Sequence, residues 1–177
     1  AVAGSSAGGH LVAMLGVTCG HEGLEGTLGQ HRDQNSDITA VVNFYGPADF
    51  LTIQEPPTTV DHNSSTSPES LLIGGAIQEH PEKARAASPQ TYVSADDRPM
   101  LIIHGTKDPL VPYTQSVRFE KALEAAGVPT TLITVQGGGH GSQFGPDINT
   151  LVIEFLRNQL SGPKLAMPDQ TVPAMER

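Results

Sequence analysis

The sequence has little cysteine, few basic residues and no long apolar run, and each shortage excludes a class of protein. Cys19 is the single cysteine among 177 residues, so the chain cannot form an internal disulfide or a cysteine-based zinc site. Ten Lys and Arg stand against 19 Asp and Glu, and the formal net charge is −9. This acidity argues against nucleic acid and anionic membranes as partners, because both bind basic surfaces. No apolar stretch approaches the roughly 18 residues of a membrane span.

The apolar residues that are present form short runs separated by helical patterns. Three runs are rich in β-branched and aliphatic residues without strict polar alternation, which predicts buried parallel strands at 38–45, 99–104 and 131–135. Apolar residues spaced by three and four predict helices at 7–16, at about 113–126 and from 148 to about 161. This order predicts an α/β fold in which helices cover both faces of a mostly parallel sheet.

The length favours one domain, which we place at residues 1–160. Residues 51–90 are rich in Pro, Ser and Thr, and they predict an excursion over the active-site end of the sheet, with short helices near 68–72 and 81–87. Residues 161–177 have no periodicity and predict an extended tail. The opening residues 1–3 resemble the last step of a strand, so we expect the domain to be incomplete at its N-terminus.

The segment Gly4-Ser5-Ser6-Ala7-Gly8 fits the Gly-x-Ser-x-Gly pattern of a nucleophile elbow, where a strand turns sharply into a helix. The pattern puts Ser6 at the apex of the turn, and we expect side chains at Gly4 and Gly8 to clash there. The backbone N–H of Ala7, at the start of the helix, is the predicted oxyanion donor. A glycine-rich turn with an incidental serine is the alternative interpretation.

A serine nucleophile needs a base, and His140 is the favoured histidine because it lies in a glycine-rich loop between a predicted strand and the last helix. His104 ends a strand and is expected to be a buried histidine bonded to nearby backbone. His10 is expected to pack rather than to bind a ligand. The remaining histidines, in loops, are expected on the solvated surface: His21, His31, His62 and His80.

The base needs an acid, and Asp108 follows a predicted strand at the sheet edge where α/β sites form. Asp96, Asp97 and Asp147 lie in polar turns and are expected to be solvated. The resulting order of nucleophile, acid and base is that of the α/β hydrolases, and it differs from the orders of the two main serine-protease folds. Ser6, Asp108 and His140 are therefore the predicted catalytic residues.

These motifs resemble the carboxylesterases of the hormone-sensitive-lipase-like group of α/β hydrolases, and most of all bacterial feruloyl and acetyl-xylan esterases. The resemblance covers about residues 1–160, and it includes turns that carry no chemistry. The matching stretches are 4–11, 42–50, 67–74, 87–93, the Asp108 loop and 138–141. It implies a serine esterase with the triad named above, Ala7 as one oxyanion donor, and neither a metal nor an organic cofactor.

The family also carries early sheet strands and a His-Gly-Gly-type loop upstream of the elbow, and this loop supplies further oxyanion N–H groups. That segment is not in this sequence. Loss of one oxyanion donor typically lowers kcat about 10²–10³-fold. We therefore expect residues 1–177 alone not to form a competent esterase. The folded protein is expected to include the N-terminal part of the fold, on the same polypeptide or on an oligomer partner.

The leading functional interpretation is a serine carboxylesterase acting on small acyl or aryl esters, with acetyl or feruloyl esters of plant-cell-wall sugars as candidate substrates. A prolyl-oligopeptidase-like serine peptidase on the same fold is an alternative. A catalytically silent fragment or interaction domain, which keeps the triad residues without an assembled pocket, is another.

Overall fold

The structure is a computed structural model, and it describes residues 1–21, 23–31, 33–34 and 36–176. Within them, five parallel strands form one sheet in the chain order β1-β2-β3-β4-β5. The strands are β1 (Val2–Ser5), β2 (Val41–Phe44), β3 (Met100–Gly105), β4 (Thr130–Gln136) and β5 (Gln170–Pro173). The three predicted strands lie side by side, and β1 lies beside the first of them, so this part of the prediction is confirmed.

The helices follow the predicted pattern with shifts of one or two residues at their ends. The α-helices are α1 (Ala7–Val17), α2 (Pro68–Ile73), α3 (Pro81–Ala86), α4 (Thr114–Ala125) and α5 (Pro146–Ser161). In the part of the chain that the structure describes, no helix is both long and apolar enough to cross a membrane.

Two apolar cores lie on opposite faces of the sheet. On one face, α1 and α4 bury residues such as Val12, Phe119 and Leu123 against strand residues such as Ile102. On the other face, α5 places Phe155 on a second set of strand side chains. β3 is buried along its whole length, as expected of a central parallel strand covered on both sides.

The excursion over residues 51–90 contains α2 and α3 and has a small core of its own, built around Phe50, Ile53, Ile77 and Ala84. A 3-10 helix enters it at Phe50–Thr52, where the Asp49 side chain accepts from the Leu51 N–H. Ser88 ties the start of the excursion to its end, because its hydroxyl accepts from the Phe50 N–H and donates to the Ala84 carbonyl. The excursion is therefore an ordered layer of the fold.

The segment after α5 forms part of the sheet, which the sequence analysis did not predict. It returns along β4, where β5 pairs in parallel over Gln170–Pro173. Asp169 accepts the Leu132 N–H and Thr131 donates to the Met167 carbonyl, which fixes the approach of this strand. The expected tail is thus extended but paired through its middle, and residue 177 lies outside the described residues.

Candidate active site

The elbow forms at the end of β1, and its backbone is strained at Ser6. Ser6 has a φ of 54° and a ψ of −120°, a conformation that L-residues rarely adopt. Its N–H donates to the Phe44 carbonyl of the neighbouring strand, and α1 begins at the next residue. This turn lifts the Ser6 hydroxyl above the carboxyl end of the sheet, whereas Ser5 stays within β1.

The glycines around the elbow do not all have the predicted role. A Cβ on Gly4 would lie 2.2 Å from the Gly8 carbonyl oxygen, so the expected clash is present there. A Cβ on Gly8 would meet nothing within 4 Å, so the expected clash at Gly8 is wrong. The second crowded position is Gly9, where a Cβ would lie 2.8 Å from the Phe44 carbonyl oxygen. The second position at which a side chain would clash is therefore one residue later than the motif suggests.

The structure brings Ser6, His140 and Asp108 into one hydrogen-bonded chain. The distance from Ser6 Oγ to His140 Nε2 is 2.8 Å, and the distance from His140 Nδ1 to Asp108 Oδ2 is 2.7 Å. Because an ionised carboxylate only accepts, Nδ1 carries the proton and Nε2 is left to accept from the serine hydroxyl. These three residues come from the ends of β1, β3 and β4, as the sequence predicted for their placement.

Of the three hydrogen-bonded residues Ser6, His140 and Asp108, Asp108 makes the most hydrogen bonds, and its side chain is fully buried. Its Oδ1 accepts the backbone N–H groups of Leu110 and Val111, at 2.8 and 3.0 Å. Burial acts to raise the pKa of Asp108, but the contacts from His104 and His140 and these two N–H groups outweigh it and hold the pKa well below its ordinary value. Asp108 is therefore a carboxylate throughout the pH range in which a histidine titrates.

The loops that carry Asp108 and His140 are tied to each other. Lys107 N–H donates to the Gly138 carbonyl, and Gly137 N–H donates to the Thr106 hydroxyl. A Cβ on Gly105 would lie 2.3 Å from the Gly138 carbonyl oxygen, so only glycine permits this approach. The distance between acid and base is thus set by backbone contacts as well as by the side chains.

Tyr45, directly after β2, is a site residue that sequence reasoning missed. Its ring centroid lies 4.5 Å from that of His140, and its backbone has a φ of 43°. A Cβ on Gly141 would lie 2.3 Å from the Tyr45 hydroxyl, so the glycine after His140 makes room for this ring. Its position after a buried strand, before Gly46-Pro47, was the available signal.

A mostly apolar pocket lies beside Ala7, between α1 and the excursion. Its walls come from four segments, and its lining residues are Ala7, His10, Pro47, Phe50, Pro68, Glu69 and Leu72. His10 stacks on Phe50 with ring centroids 5.0 Å apart, and its Nε2 donates to the Ala87 carbonyl. His10 therefore packs, as predicted, and its burial lowers its pKa.

His62 corrects one prediction, because it is 2% exposed and does not belong to the solvated surface. Its Nδ1 lies 3.0 Å from Glu69 Oε2 of α2, and its Nε2 donates to the Leu110 carbonyl in the Asp108 loop. Burial acts to lower the pKa of His62, but the Glu69 carboxylate and the Leu110 carbonyl outweigh it and raise that pKa. His62 thus joins the excursion to the loop that carries Asp108.

His104 is buried and bonded to nearby backbone, as expected, but it also lies against Asp108. Its Nε2 is 3.0 Å from the Val111 carbonyl oxygen and 3.2 Å from Asp108 Oδ2. Its Nδ1 is 2.7 Å from the Ser116 hydroxyl on α4. Two histidines therefore approach one carboxylate oxygen from different sides.

Ala7 begins α1, so its N–H is one of the first helical amides, which have no acceptor within the helix. An amide next to the nucleophile and at a helix N-terminus can donate to a negatively charged oxygen. The geometry therefore offers one oxyanion donor beside the Ser6 hydroxyl.

A second group of carboxylates lies near α4 and β5. Oxygens of Glu120, Glu124 and Asp169 lie within 4.8 Å of one another. Burial raises the pKa of Glu120 to about 7, and the negative charges of Asp169 and Glu124 add to this effect. A proton on Glu120 relieves the repulsion, and none of the three takes part in the Ser6–His140–Asp108 chain.

Comparison with known families gives one match that covers most of the chain. A family model described as BD-FAE matches residues 1–123. Esterase LipC of Mycobacterium tuberculosis (strain ATCC 25618 / H37Rv) is 35% identical over 144 residues, which make up 80% of this chain and 34% of that protein. The chain thus spans about a third of the length of this curated relative.

Two solved structures show the same architecture. A truncated form of a carbohydrate esterase from gut microbiota has a TM-score of 0.75 and 36% identity, over 86% of this chain and 57% of that one. A bifunctional GH43-CE protein of Bacteroides eggerthii has a TM-score of 0.79 and 31% identity, over 90% of this chain and 23% of that one. The matched parts of both chains share the parallel sheet on which the site is built.

Proposed function

This chain belongs to the BD-FAE family of hormone-sensitive-lipase-like α/β hydrolases, and from that premise we propose that it hydrolyses carboxylic esters with Ser6 as nucleophile. The observation that carries the proposal is the continuous chain from the Ser6 hydroxyl through His140 to the Asp108 carboxylate, with distances of 2.8 and 2.7 Å. Such a chain turns a weakly nucleophilic hydroxyl into an attacking group.

In the acylation step, the Ser6 oxygen forms a bond to the ester carbonyl carbon while His140 Nε2 takes the hydroxyl proton. The negative charge moves to the carbonyl oxygen, where the Ala7 N–H stabilises it. Asp108 stays ionised and stabilises the imidazolium through Nδ1. When the tetrahedral intermediate collapses, the bond to the alcohol oxygen breaks and the alcohol leaves with the proton from His140.

In the deacylation step, water attacks the acyl group on Ser6 and gives a proton to His140 Nε2. The bond from Ser6 oxygen to the acyl carbon breaks, the acid departs, and the serine recovers its proton from His140. His140 is 18% exposed, so both the alcohol and water can reach it. The Tyr45 ring against its face limits the directions in which the imidazole can turn.

We infer that the substrates are small acyl or aryl esters, with acetyl or feruloyl esters of carbohydrates as the first class to examine. One structural relative, 36% identical to this chain, is a truncated form of a carbohydrate esterase. The pocket beside Ala7 is mostly apolar, with Phe50 and Leu72 among its lining residues, which supports an apolar acyl or aryl group there. Ala7, which follows Ser6, lines that pocket, so we propose that the acyl group enters it and that the alcohol lies on the His140 side.

The test is hydrolysis by the purified protein, in a form that includes the N-terminal part of the fold expected above. The substrates are p-nitrophenyl acetate, methyl ferulate, acetylated xylo-oligosaccharides and a peptide anilide, with Ser6→Ala as the matched control. We expect turnover of the esters, loss of about 10³-fold or more in kcat in Ser6→Ala, and no cleavage of the anilide. Cleavage of the anilide at a rate like that of the esters would instead favour the peptidase. Equal ester turnover by both forms would contradict the assignment of Ser6.

A further inference from the structure

We propose that His104 is a positioning residue for the Asp108–His140 pair, and that it sets the pH range in which the proposed hydrolysis proceeds. This inference rests on the proposed function only for its kinetic consequence. The imidazole of His104 holds the Asp108 carboxylate in place, and this carboxylate in turn bonds to His140.

The protonation state of His104 follows from its partners. The Val111 carbonyl oxygen, 3.0 Å from Nε2, can only accept, so Nε2 carries a proton. The hydroxyl of Ser116, 2.7 Å from Nδ1, can donate to the other nitrogen. A neutral imidazole with its proton on Nε2 satisfies both contacts and directs that N–H toward the Asp108 loop.

This N–H acts on Asp108 in two ways. It lies 3.2 Å from Oδ2, the oxygen that accepts from His140, so its positive end stabilises negative charge there. It also holds the Val111 peptide, whose own N–H donates to Oδ1 at 3.0 Å. Removing the imidazole would therefore weaken the support of both carboxylate oxygens.

The surroundings make this contact strong and hold it in place. His104 and the Asp108 side chain are both fully buried, where an N–H affects a nearby charge more than it does in water. The His104 contact is one of the causes that lower the pKa of Asp108. The titratable side chains around it are Tyr113, 5.7 Å away between ring centroids, and Tyr45, with His140 beyond Asp108 and His62 beyond Leu110.

The consequence for the reaction has a definite sign. Without the N–H of His104, the negative charge on Asp108 Oδ2 is stabilised by His140 and no longer by His104 as well. It therefore attracts the His140 imidazolium more strongly. A higher pH is then needed to free Nε2 for the serine proton. The acidic limb of the plot of kcat/KM against pH should therefore move to higher pH. The less firmly held Asp108 should also lower kcat.

The experiment compares His104→Leu, which removes the donor, with His104→Gln, which keeps an N–H. We expect the acidic limb to move up by about half a pH unit or more in His104→Leu, and less in His104→Gln. In His104→Leu, kcat should fall about tenfold and KM should change by less than about twofold. Phe155→Leu, a core change on α5, is the control, and it should lower the melting temperature without moving the limb. An unmoved limb in folded His104→Leu would overturn the proposal.

Nuclear magnetic resonance of the histidine rings tests the same point without turnover. In the unmodified protein, the neutral His104 ring should carry its proton on Nε2, and a proton on Nδ1 instead would overturn the proposal. In His104→Leu, the midpoint of the His140 ring titration should move upward. If the unmodified protein hydrolyses no ester, the proposed function fails, yet these spectra still decide whether His104 positions Asp108.

Discussion

At the scale of single residues, the buried pair of His62 and Glu69 is a contact outside the proposed triad whose strength should depend on pH. Both side chains are buried, at 3% and 7% exposure, and their nearest atoms are 3.0 Å apart. Because the folded protein raises the pKa of His62, folding favours the protonated ring. The stabilisation is fully present below the unfolded value of about 6.5, and it is lost as the pH rises through the raised folded value.

We therefore expect His62→Leu to lower the free energy of unfolding by about 3 kcal/mol at pH 6, because it leaves the Glu69 carboxylate buried without its partner. The loss should be smaller at pH 9, because the ring loses its positive charge as the pH rises. Urea unfolding at both values measures the difference, with His21→Leu, an exposed histidine, as the control. An equal loss at pH 6 and pH 9 would show that the pair does not act as an ion pair.

At the scale of the elements, α1 is the helix whose placement the site depends on most directly. It crosses the sheet so closely that Cβ atoms at positions 9 and 46 would meet backbone, and a Cβ on Gly16 would lie 2.7 Å from a Val41 methyl group. Ser6 is the N-cap of this helix, and Ala7 is its first residue. Any shift of α1 away from β2 therefore moves the proposed nucleophile, Ser6, and the proposed oxyanion donor, Ala7, together.

Two adjacent glycines of α1 give a matched pair of variants. Gly9→Ala should lower the free energy of unfolding by about 2 kcal/mol or more, since its Cβ would overlap Asn43 and the Phe44 carbonyl. Gly8→Ala has open space and should raise it by about 0.5–1 kcal/mol, because alanine favours helix. Chemical unfolding measures both values. The opposite ranking would mean that α1 does not approach the sheet where the structure places it.

At the scale of the whole molecule, the sequence predicted the order of strands and helices because buried parallel strands and amphipathic helices leave strong local patterns. It also predicted that Ser6, Asp108 and His140 would meet, since the ends of parallel strands gather at one edge of the sheet. These features depend on periodicity and on residues next to their strands. They could be predicted without knowing any long-range contact.

What the sequence could not predict depends on contacts between distant segments. The pairing of β5 relies on Asp169 reaching the Leu132 N–H, and the burial of His62 relies on Glu69 and Leu110. Tyr45 contacts His140 across 95 positions of sequence, and its place after β2 does not indicate which residue it meets. The contact between His104 and Asp108 is the exception, since it joins residues only four positions apart and forms because the loop after β3 folds back.

The central claim is that Ser6 is a nucleophile activated by His140, and covalent labelling with a fluorophosphonate probe tests it most directly. The account predicts that the purified protein is labelled on Ser6 alone and that Ser6→Ala abolishes the labelling while Ser5→Ala does not. It also predicts that His140→Gln slows the labelling strongly, and that labelling in the unmodified protein becomes faster as the pH rises through the range in which histidine loses its proton. Labelling on Ser5, or an unchanged rate in His140→Gln, would contradict it.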